Sequence, residues 1–181
     1  MKKQKFLFAT RFAINATLFQ CTLHLNQKNV NQYLHLTLMK KLKNITLCNA
    51  ALSGNIYCLK YAHNVIQTED IHKLTLCYAA RSGSLACLKY AFCIIKATDI
   101  KKYTLRNAAR SGSLECLTYA FNIIKATDDN WTLENAALSG SLACLKYAFN
   151  VIQAKDSEYT LYNAVESGSL ECIEYCKKHF S

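Results

Sequence analysis

Residues 75–91 read T-L-C-Y-A-A-R-S-G-S-L-A-C-L-K-Y-A, and the same phrase with small changes begins at Thr46, Thr104, Thr132 and Thr160. The steps are 29, 29, 28 and 28 residues, and the five glycines of the chain, Gly54, Gly83, Gly112, Gly140 and Gly168, keep the same steps. Self-similarity at a fixed period of this size marks a stacked array of one small supersecondary unit. Such arrays offer long exposed surfaces and rarely enclose a catalytic pocket. A binding role is therefore expected ahead of an enzymatic one.

Within the quoted copy, Thr75 is placed to cap a first helix, its hydroxyl accepting from a free amide of the first turn. Leu76, Ala79 and Ala80 share one helical face. Gly83 ends the helix, because a residue without Cβ enters the left-handed region easily. Ser84 then caps a second helix, as Asn55, Ser113, Ser141 and Ser169 do in the other copies. Two helices separated by so short a turn fold back on each other, so the unit is a helical hairpin. Counted from Leu85 at about 100° per residue, one arc of the second helix gathers Leu85, Cys87, Leu88, Ala91, Phe92, Ile94 and Ile95. The other arc gathers Ala86, Lys89, Tyr90, Cys93 and Lys96. An apolar arc this wide suits a helix that touches its own partner and a hairpin on either side. The small pairs Ala50-Ala51, Ala79-Ala80, Ala108-Ala109 and Ala136-Ala137, with Ala164-Val165 last, let the first helix sit close to its neighbours. Polar connectors carrying Asp70, Asp99, Asp128 and Asp156 join the hairpins. An apolar residue (Ile45, Leu74, Tyr103, Trp131, Tyr159) then precedes each threonine, placed to pack over the first turn as a staple.

The segment A-A-x-S-G-S-L-x-C-L-K-Y-A resembles the ankyrin core A-A-x-x-G-H-x-x-[IV]-[VL]-x-x-L, with Thr where ankyrins usually have Pro and an apolar residue where they usually have Thr. The resemblance covers about Ile45 to Ser181, and the short cysteine-bearing variety is similar to repeats abundant in large DNA viruses of amoebae. Two departures stand out: the period is shorter than the ankyrin period of about 33, and the chain contains no proline. Both imply a shortened connector without the projecting hairpin finger of ordinary ankyrins. Tetratricopeptide repeats need about 34 residues and another bulky/small pattern. The expected fold is all-α: a curved solenoid of ankyrin-like helical hairpins. Five repeats fall at about 45–73, 74–102, 103–130, 131–158 and 159–181, the last a cap because Lys177 and His179 replace an aromatic and an isoleucine.

Residues 1–44 form a basic segment in which Thr17-Leu18, with Cys21 and Thr22 in the Ala-Ala places, marks a degenerate capping repeat, with 29–42 as its partner helix. The lysines before the apolar stretch give it a superficial signal-peptide look. Arg11 interrupts that stretch, no small-x-small cleavage site follows, and residues 12–25 are too few to span a bilayer.

Ten cysteines raise the question of a disulfide scaffold. Cys58, Cys87, Cys116, Cys144 and Cys172 occupy one repeat position on the apolar arc. Equivalent positions on packed helices lie about 8–10 Å apart, beyond the reach of a disulfide at about 7 Å. They read as reduced core thiols, which points to a cytoplasmic compartment, the host cytosol if the chain is viral. Cys48 and Cys77, at a variable first-helix position, read as accessible thiols. Cys172, Cys176 and His179 lie at i, i+4 and i+7, a spacing zinc could use, but no fourth ligand is evident and no metal or other cofactor is expected. The histidines recur at no repeat position, and no catalytic constellation or phosphate-cradling loop emerges; no enzymatic activity is expected.

Net charge divides unevenly: +8 over residues 1–45, +6 over 46–113 and −4 over 114–181. A basic front could meet nucleic acid or an anionic membrane, although no reading element accompanies it. The first helices carry two variable positions four residues apart: Cys48 and Leu52, Cys77 and Arg81, Arg106 and Arg110, Glu134 and Leu138, Tyr162 and Glu166. In ankyrin-like stacks the first helices line the concave side, so the resemblance makes this row the partner-binding surface, centred on Arg81, Arg106 and Arg110. Lys60, Lys89 and Lys146 read as a solvated outer row. The expectation is a monomeric, non-catalytic interaction module for another protein, a host-directed adaptor if the viral resemblance carries over. The alternative is attachment to nucleic acid or an anionic membrane through residues 1–45.

Overall fold

The computed structural model describes residues 47–67, 74–97, 101–128 and 130–180. The expected N-terminal capping repeat, Thr46 and Ile45 lie outside them. The described residues form ten helices and no strand: α1 (Leu47–Leu52), α2 (Ile56–Asn64), α3 (Thr75–Arg81), α4 (Leu85–Cys93), α5 (Lys101–Arg110), α6 (Leu114–Asn122), α7 (Thr132–Leu138), α8 (Leu142–Asn150), α9 (Glu158–Ser167) and α10 (Leu170–His179). They pair as five hairpins. Each odd-numbered helix packs along the next odd-numbered helix, while even-numbered helices meet their counterparts less extensively.

The S-G-S turn explains the tightness of the hairpin. Ser82 Oγ donates to the Ala79 carbonyl at 2.7 Å and accepts from the Ser84 amide at 3.2 Å. Ser84 Oγ in turn accepts from the Cys87 amide, capping α4. Ser111/Ser113, Ser139/Ser141 and Ser167/Ser169 repeat this relay, and Ser53 with Asn55 begins it. Gly83 lies at φ +73°, and a Cβ there would meet Ser111 of the next hairpin at an ordinary 3.6 Å. The left-handed backbone, not lack of room, requires the glycine.

The second helices also end in the left-handed region, but without glycine. Lys96, Lys125 and Gln153 have φ between 54° and 57°. The following amides, of Ala97, Ala126 and Ala154, reach back to the carbonyls of Ala91, Ala120 and Ala148 at 3.0–3.1 Å. This is the helix-ending loop that glycine normally serves.

The interior follows the expected pattern. Leu88, Leu105, Leu117, Leu133 and Leu145 are fully buried, as are both alanines of each pair from α1 to α7 and the cysteines from Cys87 to Cys172 of the repeated position. Full burial of a leucine side chain contributes about 1.5–3 kcal/mol.

Three local expectations need correction. The described threonines of the phrase are not N-caps: Leu74 and Trp131 hold that place without a side-chain bond, and Ser157 caps α9. Thr75, Thr104, Thr132 and Thr160 are instead fully buried in the first turn or just beyond it. The staple fails at Trp131 and Tyr159, both more than half exposed, and Tyr159 already lies inside the first turn of α9. Ile94 and Ile123 also stand more than half exposed at the C-caps of α4 and α6, and Val151 stands half exposed at that of α8. Helical spacing puts Ile94 two turns beyond Cys87 on the same face, so its exposure marks where the covered length of α4 ends.

The hydroxyls of Thr104 and Thr132 find no hydrogen-bond partner although they are buried. A buried unsatisfied polar group costs about 1–3 kcal/mol, and valine has the same branched shape. Thr104→Val and Thr132→Val are each expected to raise the unfolding free energy by about 1 kcal/mol or more, seen as a higher urea midpoint. Leu117→Ala should lower stability by about 2–5 kcal/mol through the cavity it leaves.

Candidate interaction surface

The two variable positions of the first helices have different fates. At the first, Cys48 and Cys77 are buried and Glu134 is almost so. Each meets the following hairpin: Cys48 Sγ lies 3.7 Å from Thr75 Oγ1, Asn107 Nδ2 donates to Cys77 Sγ at 3.4 Å, and Ser157 Oγ donates to the Glu134 carboxylate. Their side chains lie between neighbouring first helices, so they form joints and not surface. Cys48 and Cys77 are therefore not the accessible thiols expected; the exposed thiol among the described residues is Cys93. Arg106 escapes burial by turning its guanidinium over the Tyr103 ring, 4.2 Å from the centroid. Tyr162 is exposed because it belongs to the last described hairpin.

The second variable position faces outward. Arg81, Arg110 and Glu166 are exposed, while Leu52 and Leu138 are partly covered. Arg110 Nη1 donates to Asn135 Oδ1 of the next hairpin at 3.3 Å, and Asn135 Nδ2 donates to the Trp131 carbonyl at 2.8 Å. Partial burial lowers the pKa of Arg110 first, and the like charge of Arg81 lowers it further; Glu166 acts in the opposite sense. Two guanidinium groups thus share one field on adjacent helices, with Arg106 beside them. A negative charge brought to this face would relieve that repulsion.

Two recurring positions escaped the sequence reading. Asn107 and Asn135 donate to carbonyls four residues earlier, Asn107 also bonding the previous hairpin. Asparagine also stands at the equivalent Asn49 and Asn163, a recurrence visible in the sequence. The second is the tyrosine of C-L-K-Y-A, placed above on the arc opposite the apolar one. Tyr90, Tyr119, Tyr147 and Tyr175 are half-buried, each seated in a cradle from the preceding hairpin. Phe92 meets Tyr119 edge to face at 6.3 Å, and Phe121 meets Tyr147 likewise at 6.4 Å. The phenol oxygens of Tyr90, Tyr147 and Tyr175 bond Asn64, Asn122 and Asn150. Lys60, Lys89 and Lys146, the expected outer row, extend over the rings of Tyr90, Tyr119 and Tyr175 at 5.6–5.9 Å. They are exposed, and they also hold hairpins together.

No helix among the described residues is long and apolar enough to cross a membrane, and no three His, Cys, Asp or Glu side chains are grouped as metal ligands. Cys172 and Cys176 are fully buried, and the His179 ring lies 4.4 Å from that of Tyr175. The chain matches no protein-family model, and no curated protein matches it.

Burial raises the pKa of the Cys87, Cys116 and Cys144 thiols, and pushes that of Cys176 from its ordinary 9.0 to about 11. A thiol that ionises less readily folded than unfolded stabilises the fold fully below the unfolded value. That stability is lost as pH rises through the folded one. The unfolding midpoint should accordingly hold below pH 9 and fall between pH 9 and about pH 11, less steeply in Cys176→Ala, as read by urea titration at each pH. At neutral pH, brief alkylation followed by peptide mass mapping should label Cys93 well before Cys48 or Cys77.

Proposed function

We propose that the chain is an ankyrin-type solenoid acting as a non-catalytic binding module for another protein, an intracellular adaptor. The partner lies along the concave face lined by the first helices. Several observations support this reading. The hairpins repeat in register, and successive first helices pack more extensively than successive second helices, an asymmetry that curves a stack toward the first-helix side. Among the described residues, the buried Cys87, Cys116, Cys144 and Cys172 carry reduced thiols, as suits a reducing compartment. The ankyrin kinship rests on the A-A-x-S-G-S-L-x-C-L-K-Y-A phrase and on its helix–turn–helix form.

The observation that carries the binding site is the juxtaposition of Arg81, Arg106 and Arg110 on α3 and α5. The partly covered Leu52 lies on α1 before them and Leu138 on α7 beyond. Arginine is prominent among interface residues that dominate affinity, and the apolar flanks supply contact area. Such a face fits an acidic protein segment with apolar residues on either side of its carboxylates. Cys48, Cys77 and Glu134 have no place in it, being joints between hairpins; Tyr162 and Glu166 lie at its acidic end.

Affinity capture from the native cytosol, with the wild type compared against Arg81→Glu/Arg106→Glu/Arg110→Glu, tests the site. A defined set of acidic proteins should be lost from the variant by 10-fold or more, with the melting curve unchanged. Retention of every captured protein by the variant sinks the site. Binding to duplex DNA or anionic vesicles that weakens with salt and depends on residues 1–43 would favour the nucleic-acid or membrane alternative instead.

A further inference from the structure

The last described hairpin exposes residues at the positions that the earlier hairpins bury against the next one. At the position of the buried Cys48, Cys77 and Glu134 stands Tyr162, 64 % exposed; at that of Ala51, Ala80, Ala109 and Ala137, all at 0 %, stands Val165, 55 % exposed. Leu170 is 73 % exposed, whereas its equivalents Leu85 and Leu142 are partly buried and Leu114 is 38 % exposed. A Cβ on each of Gly54, Gly83, Gly112 and Gly140 would touch a serine of the next hairpin, and one on Gly168 would touch nothing. Lys177 and His179 do make the end of α10 polar, as a cap requires, but α9 retains an apolar joining surface. The face is continuous with four joints of the same construction inside the molecule, and a helical hairpin is what covers each of them.

We infer that this face pairs with the same face of a second copy, giving a closed two-fold dimer in which α9 of one chain lies over α10 of the other. This rests on the stacked hairpins and not on the reading of the arginine row. The charges on the face decide the arrangement. On α8, Lys146 and Asn150 reach the following hairpin, so their equivalents Glu174 and Lys178 mark the outward side of α10. Glu158 stands at the start of α9 and Lys178 near the end of α10, at the same end of the hairpin. With α9 over the second copy's α10, Glu158 of each chain meets Lys178 of the other, and Val165 of each meets Leu170 of the other. Laying α9 over α9 would set Glu158 against Glu166 instead, and the like charges disfavour it. A symmetric interface satisfies both copies at once and then stops growing. It differs from the monomeric state expected from the sequence.

Sedimentation equilibrium of the whole chain over roughly 1 to 500 µM tests the pairing, a range suited to an interface one hairpin wide. The mass should rise from that of one chain and level off at two. Val165→Glu/Leu170→Glu should hold it at one, with an unchanged melting curve because both residues are already exposed. Glu158→Lys and Lys178→Glu should each weaken association by 3-fold or more, and the two combined should restore it. A mass that stays at one chain throughout overturns the inference and leaves the face to a different protein. Growth beyond two chains overturns the two-fold arrangement, and a dimer that survives Val165→Glu/Leu170→Glu places the interface elsewhere.

Discussion

Close lateral contact between successive first helices is the constraint on which the other features depend. The alanine pairs make it possible, since a larger side chain at Ala80 or Ala109 would push neighbouring helices apart. The left-handed glycine turn then returns the second helix against the same neighbours without a long loop. With that spacing set, the cysteine and leucine of each second helix become interior, and the threonine ahead of each alanine pair is buried with them. The burial is complete enough to leave the hydroxyls of Thr104 and Thr132 without partners. Shape, rather than hydrogen bonding, accounts for a branched residue at those positions.

The same spacing divides the first-helix surface into joints and exposed positions. A side chain two residues after the threonine falls between helices, and one six residues after it points out. The distinction separates Cys48, Cys77 and Glu134 from Arg81 and Arg110, although all five change from copy to copy. Variation at a joint records pairwise fitting between hairpins: a thiol beside a threonine, a thiol beside an asparagine, a carboxylate beside a serine. Variation at the outward position is free to follow a partner.

Much of the fold was legible because its signals are local and recur. Glycine spacing gave the turns, and Ser84, Ser113, Ser141 and Ser169 gave the second-helix caps at the residues where they stand. The Ala-Ala pairs gave the buried face of the first helices. What was misread depends on relations between copies. Thr75 looks like a cap when its own helix is considered alone, and only the neighbouring hairpin reveals that it is buried. Cys48 and Cys77 looked accessible because variability was equated with exposure. Lys96, Lys125 and Gln153 end helices in a conformation that favours glycine, so the sequence carried no sign of it. In the tyrosine row, Tyr90 was placed opposite the apolar arc by its angle on an isolated helix, whereas its environment comes from the preceding hairpin.

That row has a consequence for how such a chain can change length. Every described cradle is built from residues about one period upstream of its ring, and each of the three middle hairpins supplies both a tyrosine for the cradle behind it and a cradle for the tyrosine ahead. Duplication of a whole 28- or 29-residue unit therefore introduces a new ring together with its seat. A partial insertion would leave one without the other. Growth and shrinkage by complete units are the changes this architecture absorbs without redesign of its joints.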